Sequence, residues 1–491
     1  MRLRLAPAAL ALALAAACGQ GSSSPSPTSQ PSPRDDAGAT ASTDGAVATP
    51  VDAAAPGDLR AGAFVIDATP AVGVPIAGYT KRRHLVPDLD PKNLVHWFGP
   101  SEGVRDPIQA KALVMESGGQ RVAFVSVDTV AILGDSVERI VAAARAKGSS
   151  LDRDHVFVFA AHTHSGPGAL TDLGFWVQAA TDDLVDSVRS AFVDKVASAI
   201  IGAEAALAPA RYAIGSTELR GVTKNRRVGV SKVFKADDVD PELGVLRVDR
   251  AVDGAPIATL YNYGIHGTTL SSANMQLSAD VMGGISRHVE KATGAPAIFA
   301  NGAEADVAPA SEGDAAIDAI GALVGAKVVE LRGTLSSATK DRARIRVSSD
   351  TMDFGQAKLT LRVDGLSSGA LDLGAVATIL GAGAGGAQTI NLDSTMVDHV
   401  FHMSAVALDD DVISAVPGEP IHTLGFAIKK QGKDLGFAHV FVVGFANGYM
   451  SYVTDKDEYE AGGYEAVATF FGPDTGARLV DACVARIAAV K

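Results

Sequence analysis

Two periodicities take turns along this chain. Val122 to Val127 and His155 to Ala161 are short apolar runs rich in β-branched and aromatic residues, as buried strands are. Between them, Asp135 to Ala146 repeats its apolar positions at helical spacing behind an N-terminal acid. Strand, helix and strand in so short a span predict a βαβ unit, whose strands pair in parallel through a right-handed crossover. The alternation recurs. Ala63 to Asp67 reads as an opening strand and Asp183 to Leu207 as a long amphipathic helix. Ile257 to Tyr263 and Ala297 to Ala300 read as strands on either side of a helix from Asp280 to Ala292. The predicted fold class is α/β: a mixed, mostly parallel sheet flanked by helices, with functional loops at the carboxyl ends of its strands.

Between residues 311 and 398 the pattern weakens. A helix from Ala315 to Leu331 precedes a stretch from Val347 to Val363 that alternates like strand, and then Gly/Ala-rich sequence from Gly365 to Gly386, which predicts an inserted α+β region. Val400 to Leu408 and Phe437 to Val443 return to strand, Ala415 to Pro420 and Asn447-Gly448 read as turns, and Asp474 to Val490 as a closing helix.

Composition narrows the class. With 491 residues and 47% hydrophobic content, the chain can bury a sizeable core. A net charge of −13 and no long Lys/Arg run exclude nucleic acid as a partner, because phosphate binding needs a concentrated basic surface. Arg2 and Arg4 precede an apolar segment, Leu5 to Ala17, that is too short for a membrane span, and Ala15-Ala16-Ala17-Cys18 resembles a bacterial lipobox with Ala where Leu is commonest. Residues 1–18 are therefore expected to be a lipoprotein-type signal that exports the protein and anchors it to a membrane, at the periplasmic or outer cell surface, with an ordinary secretory signal as the alternative. Residues 19–58, mostly Ser, Pro, Thr, Ala, Gly and Asp, read as a disordered tether, and the folded part runs from 59 to 491. With Cys18 as anchor, Cys483 is left as a single thiol and no internal disulfide is expected.

The chemistry centres on Ala161-His162-Thr163-His164-Ser165-Gly166-Pro167-Gly168. The run before it is strand, Ser165 to Gly168 cannot continue one, and residues i and i+2 of a strand share a face. Such a pair suits two metal ligands, or one ligand and one proton-transfer group, or a structural pair bonded to neighbouring loops. His266 and Asp306 also fall at strand ends. The remaining histidines are scattered, and no His-Glu-x-x-His, cysteine cluster or phosphate-cradling loop is present.

Four separated motifs then carry a resemblance. They are Ala161 to Gly168; Asn225-Arg226; His266-Gly267-Thr268 with Ser278-Ala279-Asp280; and Val416-Pro417-Gly418-Glu419, followed by Tyr452-Val453-Thr454, Tyr464-Glu465 and Gly472-Pro473. In this order they resemble the neutral/alkaline non-lysosomal ceramidase family, from about residue 60 to 485, making 59–491 a ceramidase-like catalytic domain without the immunoglobulin-like C-terminal domain of many members. The resemblance implies one Zn2+ per chain held by His162, His266, Glu419 and Tyr452. It places His164 and Arg226 beside the ion and Tyr464 facing the same pocket, and it implies a lipid-like substrate. Two imidazoles, a carboxylate and a phenol oxygen are acceptable zinc donors, and zinc lowers the pKa of a bound water towards ~7. On this reading His164 moves a proton to the leaving amine and Arg226 holds the carbonyl oxygen or a hydroxyl. Asp280 and Asp306 are candidates to orient a ligand imidazole.

One departure cuts across the match. Where the family has Gly-Asp-Val-Ser-Pro, this chain has Ala305-Asp306-Val307-Ala308-Pro309, and alanine can neither attack nor hydrogen-bond. Two functions follow: a zinc-dependent hydrolase of N-acyl amide lipids in which zinc-bound water attacks directly, or a catalytically degenerate lipoprotein that binds lipid or a partner. A hydrolase of a non-sphingoid amide or ester is a third.

Overall fold

The computed structural model describes residues 55–84, 86–90, 93–361 and 388–491. The expected signal, all but the last residues of the expected tether, and the Gly/Ala-rich stretch 365–386 lie outside the described residues. The tether's end is ordered: Gly57–Asp58 is a short strand paired with Arg342–Ala343.

The larger sheet has eight strands: β1 (Arg60–Asp67), β2 (Gln109–Ser117), β3 (Gln120–Val127), β4 (Val156–Ala160), β5 (Ala208–Glu218), β6 (Glu242–Arg250), β7 (Pro256–Tyr263) and β8 (Ala297–Asn301). Their spatial order is β8-β7-β6-β5-β1-β2-β3-β4. A second, four-stranded sheet runs β9 (Ile345–Asp353), β10 (Val400–Leu408), β11 (Asp411–Ala415) and β12 (His439–Val443). Helices α1 (Gly134–Ala146), α2 (Asp186–Ala205), α3 (Asp280–Thr293) and α4 (Asp314–Thr334) accompany the large sheet. Helices α5 (His422–Asp434) and α6 (Thr475–Ala489) accompany the small one.

Strand periodicity explains the layering. Along β3 and β4, Phe124, Phe157 and Phe159 project into a core shared with Ile413, Phe441 and Val443 of the second sheet. The alternate residues Val125, Val156 and Val158 meet Val137 and Ile140 of α1 and Val196 and Ile200 of α2. Period-two alternation sends one set of side chains to the other sheet and the next set to the helices, so both faces are apolar and the runs read as continuously hydrophobic. Asn262 ties the layers together, its Nδ2 donating to the carbonyls of Ala300 and Val442, each at 2.9 Å.

The mixed α/β class holds, but mostly parallel pairing does not. In the large sheet only the two end pairs, β3–β4 and β7–β8, are parallel, and the inner pairs are antiparallel. Strands β2, β5 and β6, which escaped the pattern reading, account for this. β2 turns into β3 through Gly118-Gly119, whose φ angles of 59° and 82° are those of a two-residue hairpin that a side chain would strain. The region 311–398 is α+β as expected, yet it is less an insertion than part of the body: α4 lies on α3, and β9 is the edge of the second sheet. The alternating stretch from Val347 breaks at Phe354, and Ala357–Leu361 forms a separate hairpin with Gln388–Leu392.

The parallel pairs matter because they aim. β4, β7, β8, β11 and β12 end at the same side, and their carboxyl-terminal loops carry the polar residues described below. Phe157, 1% exposed between the sheets, is the test of this packing. Phe157→Ala is expected to cost about 3–5 kcal/mol in urea denaturation, and a loss under about 1 kcal/mol would show that the sheets do not depend on this ring.

Candidate metal centre

The chain leaves β4 by an abrupt change of direction. His162 has φ 69°, in the left-handed region that a non-glycine residue occupies only when its surroundings hold it there. They do: its N–H donates to the Thr129 carbonyl at 2.9 Å, and its ring Nδ1 to the Val130 carbonyl at 2.6 Å. That second bond fixes the tautomer and leaves Nε2 with a free lone pair. His164 N–H reaches the Gly267 carbonyl at 3.0 Å, so the loop after β4 and the loop after β7 lie side by side. The approach is possible because residue 267 has no side chain: a Cβ there would sit 2.1 Å from the His162 carbonyl oxygen.

The three rings therefore converge. His162 Nε2 lies 3.0 Å from His266 Nε2 and 3.1 Å from His164 Nε2. The anticipated clustering is present, but not by the expected route. His162 and His164 lie beyond the strand, and a left-handed turn, rather than a shared strand face, brings their rings together.

Two carboxylates complete the group. Glu419 starts a short strand beside Tyr452 after β11, and its Oε2 is 3.6 Å from His162 Nε2. Glu304, in the loop after β8, was passed over in the sequence reading in favour of its neighbour Asp306. Its Oε2 accepts a hydrogen bond from His266 Nδ1, and its Oε1 is 3.8 Å from His162 Nε2. The only signal for it was an acid closely following a strand end, among 56 acids. Tyr449, also missed, donates its hydroxyl to Glu419 Oε1. Asp306 and Asp280 do not orient a ligand imidazole. The Asp306 carboxylate takes the Nδ1 of His422 at 2.5 Å and Asn225 Nδ2 at 2.8 Å, while its backbone carbonyl holds the Arg226 N–H at 2.8 Å. Asp280 accepts the N–H groups of Leu270 and Val281 at 3.0 and 2.6 Å and so pins the segment that follows His266.

Arg226 and Tyr452 stand at the edge of the cluster. Arg226 points NH1 at His266 Nε2 from 3.4 Å, donates NH2 to the Tyr452 hydroxyl at 3.2 Å and Nε to Glu465 at 2.9 Å. Behind it Arg227, fully buried, donates to Glu465 at 2.6 Å and to Glu458 at 2.8 Å. Tyr464 packs edge-on against Tyr452, ring centroids 5.0 Å apart. The sequence-predicted residues His162, His164, Arg226, His266, Glu419, Tyr452 and Tyr464 thus meet in one place. Ala308 does not face them through a functional group. It is half-buried in the short ladder Val307–Pro309, opposite Lys224.

Electrostatics favour a cation here. Burial depresses the imidazoles, His162 to about 3 and His164 and His266 well below their usual range, so all three are neutral at physiological pH, as metal ligands must be. Burial and mutual repulsion push Glu304 well above the usual carboxylate range, and burial lifts Glu419 to about 7. Both carboxylates have 0% exposure. One oxygen of each, Glu304 Oε1 and Glu419 Oε2, has no hydrogen-bond partner. Neutral imidazoles with lone pairs aimed inward and carboxylates with an unsatisfied oxygen are the donor set that a divalent ion such as zinc takes. His162, His266, Glu304 and Glu419 offer ligand atoms all within 4.8 Å of one another, as do His162, His164 and His266. A third group, His96, Asp182 and Asp183, differs: the Asp182 carboxylate is already occupied by the N–H groups of His96, Trp97 and Phe98.

The cluster forms one end of a pocket whose apolar wall includes Ile132, Leu133, Leu170, Trp176 and Phe192. The protein is thus a mixed α/β protein with a buried candidate metal centre at the carboxyl ends of its strands, opening on an apolar pocket. Residues 99–344, half of the chain, match the family model described as neutral/alkaline non-lysosomal ceramidase, N-terminal, and the chain belongs to that family. It is 25% identical over 436 residues to the neutral ceramidase of Pseudomonas aeruginosa, covering 75% of this chain and 64% of that protein. To the neutral ceramidase of Mycobacterium tuberculosis it is 23% identical over 397 residues, covering 66% and 62%. The chain therefore spans less than two thirds of the length of these relatives. Among solved structures, a ceramidase complexed with C2 superimposes with a TM-score of 0.75 at 23% identity, over 88% of this chain and 75% of the other. The crystal structure of the Pseudomonas aeruginosa neutral ceramidase gives 0.73.

Gly267 tests the convergence. Gly267→Ala forces the two histidine loops apart and is expected to abolish high-affinity metal uptake, measured by elemental analysis, while circular dichroism stays that of a folded α/β protein. Full metal content in the variant would show that the loops tolerate separation.

Proposed function

We propose that this protein is a zinc-dependent hydrolase of N-acyl amide lipids of the ceramide kind. The observation that carries the reading is the buried cluster of His162, His266, Glu304 and Glu419, with His162, Glu419 and Tyr452 lining an apolar pocket, in a chain of the ceramidase family. The relatives are named neutral ceramidases, and the apolar wall suits an acyl chain, whose burial is worth about 0.8 kcal/mol per methylene. A zinc ion supplies a Lewis acid for the amide carbonyl and a water of lowered pKa. The chain's own residues do the rest. His164, beside the ligands and neutral, takes a proton and delivers it to the leaving amine. Arg226, kept charged against the cost of burial by Tyr452, Glu465 and Glu304, holds the carbonyl oxygen. Tyr464 backs Tyr452 and closes the pocket. Ala308 has no nucleophile to offer, so water is the attacking group. We further propose export as a lipoprotein tethered to a membrane through Cys18, which would bring the pocket to its substrates.

Alanine at 308 also favours a second reading, a lipid-binding protein of this scaffold that has lost turnover. The two part cleanly in one experiment. The purified parent is expected to hold one zinc per chain and to release fatty acid from short-chain ceramides, with Glu419→Ala losing both. Stoichiometric zinc with no hydrolysis of any N-acyl amide or ester would sink the enzymatic reading. If activity arises only after Ala308→Ser, the degenerate reading stands instead.

A further inference from the structure

The residues that the family resemblance assigns to the metal include one carboxylate, Glu419, but the structure buries two. Glu304 is 0% exposed, and both of its oxygens are turned to the cluster: Oε2 to His266 Nδ1, and Oε1 towards His162 Nε2 at 3.8 Å with no hydrogen-bond partner. A merely structural glutamate accounts poorly for this. Its Oε1 is a polar atom shut off from solvent with no partner, and leaving such an atom unsatisfied costs about 1–3 kcal/mol unless a ligand meets it. The nearby cations are already committed. Arg226 and Arg227 make their ion pairs with Glu465 and Glu458, and neither reaches Glu304 or Glu419 within ion-pair distance. A divalent cation is the group that would satisfy both free carboxylate oxygens and the imidazole lone pairs at once.

We infer that Glu304 is a second carboxylate of the metal centre, orienting the His266 ring through Oε2 and presenting Oε1 as an anionic donor to the ion. The inference rests on the metal reading above and deepens it. A carboxylate on the far nitrogen of a ligand histidine raises that ligand's basicity, and losing such a partner typically weakens metal binding about 10–100-fold. Glu304 adds to this the charge that makes the buried centre neutral with the ion in place. It also explains why a long acidic side chain is tolerated at the end of β8, in a loop otherwise built of Gly302, Ala303 and Ala305.

The test compares the parent with Glu304→Gln, which keeps shape and removes charge, by zinc competition against a chromogenic chelator and by thermal unfolding with and without zinc. The variant is expected to bind zinc at least tenfold more weakly and to gain less thermal stability from it. Its metal-free form is expected to melt close to the metal-free parent, because the amide keeps the side chain's shape and a polar contact to His266. A structural role alone predicts the opposite split, a lower metal-free melting temperature with zinc affinity unchanged. Zinc affinity within twofold of the parent would overturn the inference, whether or not the metal-free melting temperature falls. Glu304→Asp, which keeps the charge but withdraws it by one methylene, is expected to fall between the two, and affinity equal to the parent's there would also count against a direct donor. If the parent itself takes up no divalent ion, it is the functional reading that fails. Equal binding by parent and Glu304→Gln removes only the role of Glu304.

Discussion

Two carboxylates and three neutral imidazoles are buried against one another, and the rest of the molecule is arranged to keep them there. Left to themselves, buried like charges repel and cost several kcal/mol. The protein holds them by making their escape more costly still. His162 and Ser451, on two sides of the cluster, are kept in left-handed backbone at φ 69° and 78°. Tyr449 hydrogen-bonds one oxygen of Glu419, and the Arg226–Arg227–Glu465–Glu458 lattice braces the edge. Backbone strain and unsatisfied acceptor oxygens concentrate at this cluster.

The two-sheet core makes that concentration possible. Phenylalanines of β3 and β4 interlock with the second sheet, and helices α1 and α2 cover the opposite face, so the strand ends cannot shift independently. Parallel pairing occurs in the strands that carry the cluster, β4, β7, β8, β11 and β12, while the antiparallel hairpins between them serve as frame. Loops at the carboxyl ends of parallel strands lie on one side by construction, the general reason why sites gather there. The loop that supplies Glu304 also supplies Asp306, whose side chain holds His422 and whose carbonyl holds Arg226. A residue expected from the sequence to orient a ligand imidazole thus holds His422 and Arg226 instead, and the acid two positions earlier is the one that meets His266.

Ala308 fits this division of labour. It lies in a short ladder beside the cluster, where a hydroxyl would be an addition to the site and not a part of its scaffold. Its loss leaves the donor geometry whole. The His/Glu cluster is present with alanine at position 308.

Much of this was legible from the chain alone. Local periodicity determined the strands β3, β4, β7 and β8 and the helices α1 to α4, because burial on both faces or on one helical stripe writes itself into neighbouring residues. Separated motifs named His162, His164, Arg226, His266, Glu419, Tyr452 and Tyr464. Tertiary structure alone decided what depends on distance across the sequence. It decided that inner strands pair antiparallel, that a left-handed turn and not a strand face joins the two histidines, and that Glu304, 38 residues from His266, is the acid that meets it. Periodicity records which face of an element is buried. It holds no record of which other element lies against that face, and for a carboxylate that partner makes the difference between a solvated surface charge and a buried group held against a histidine.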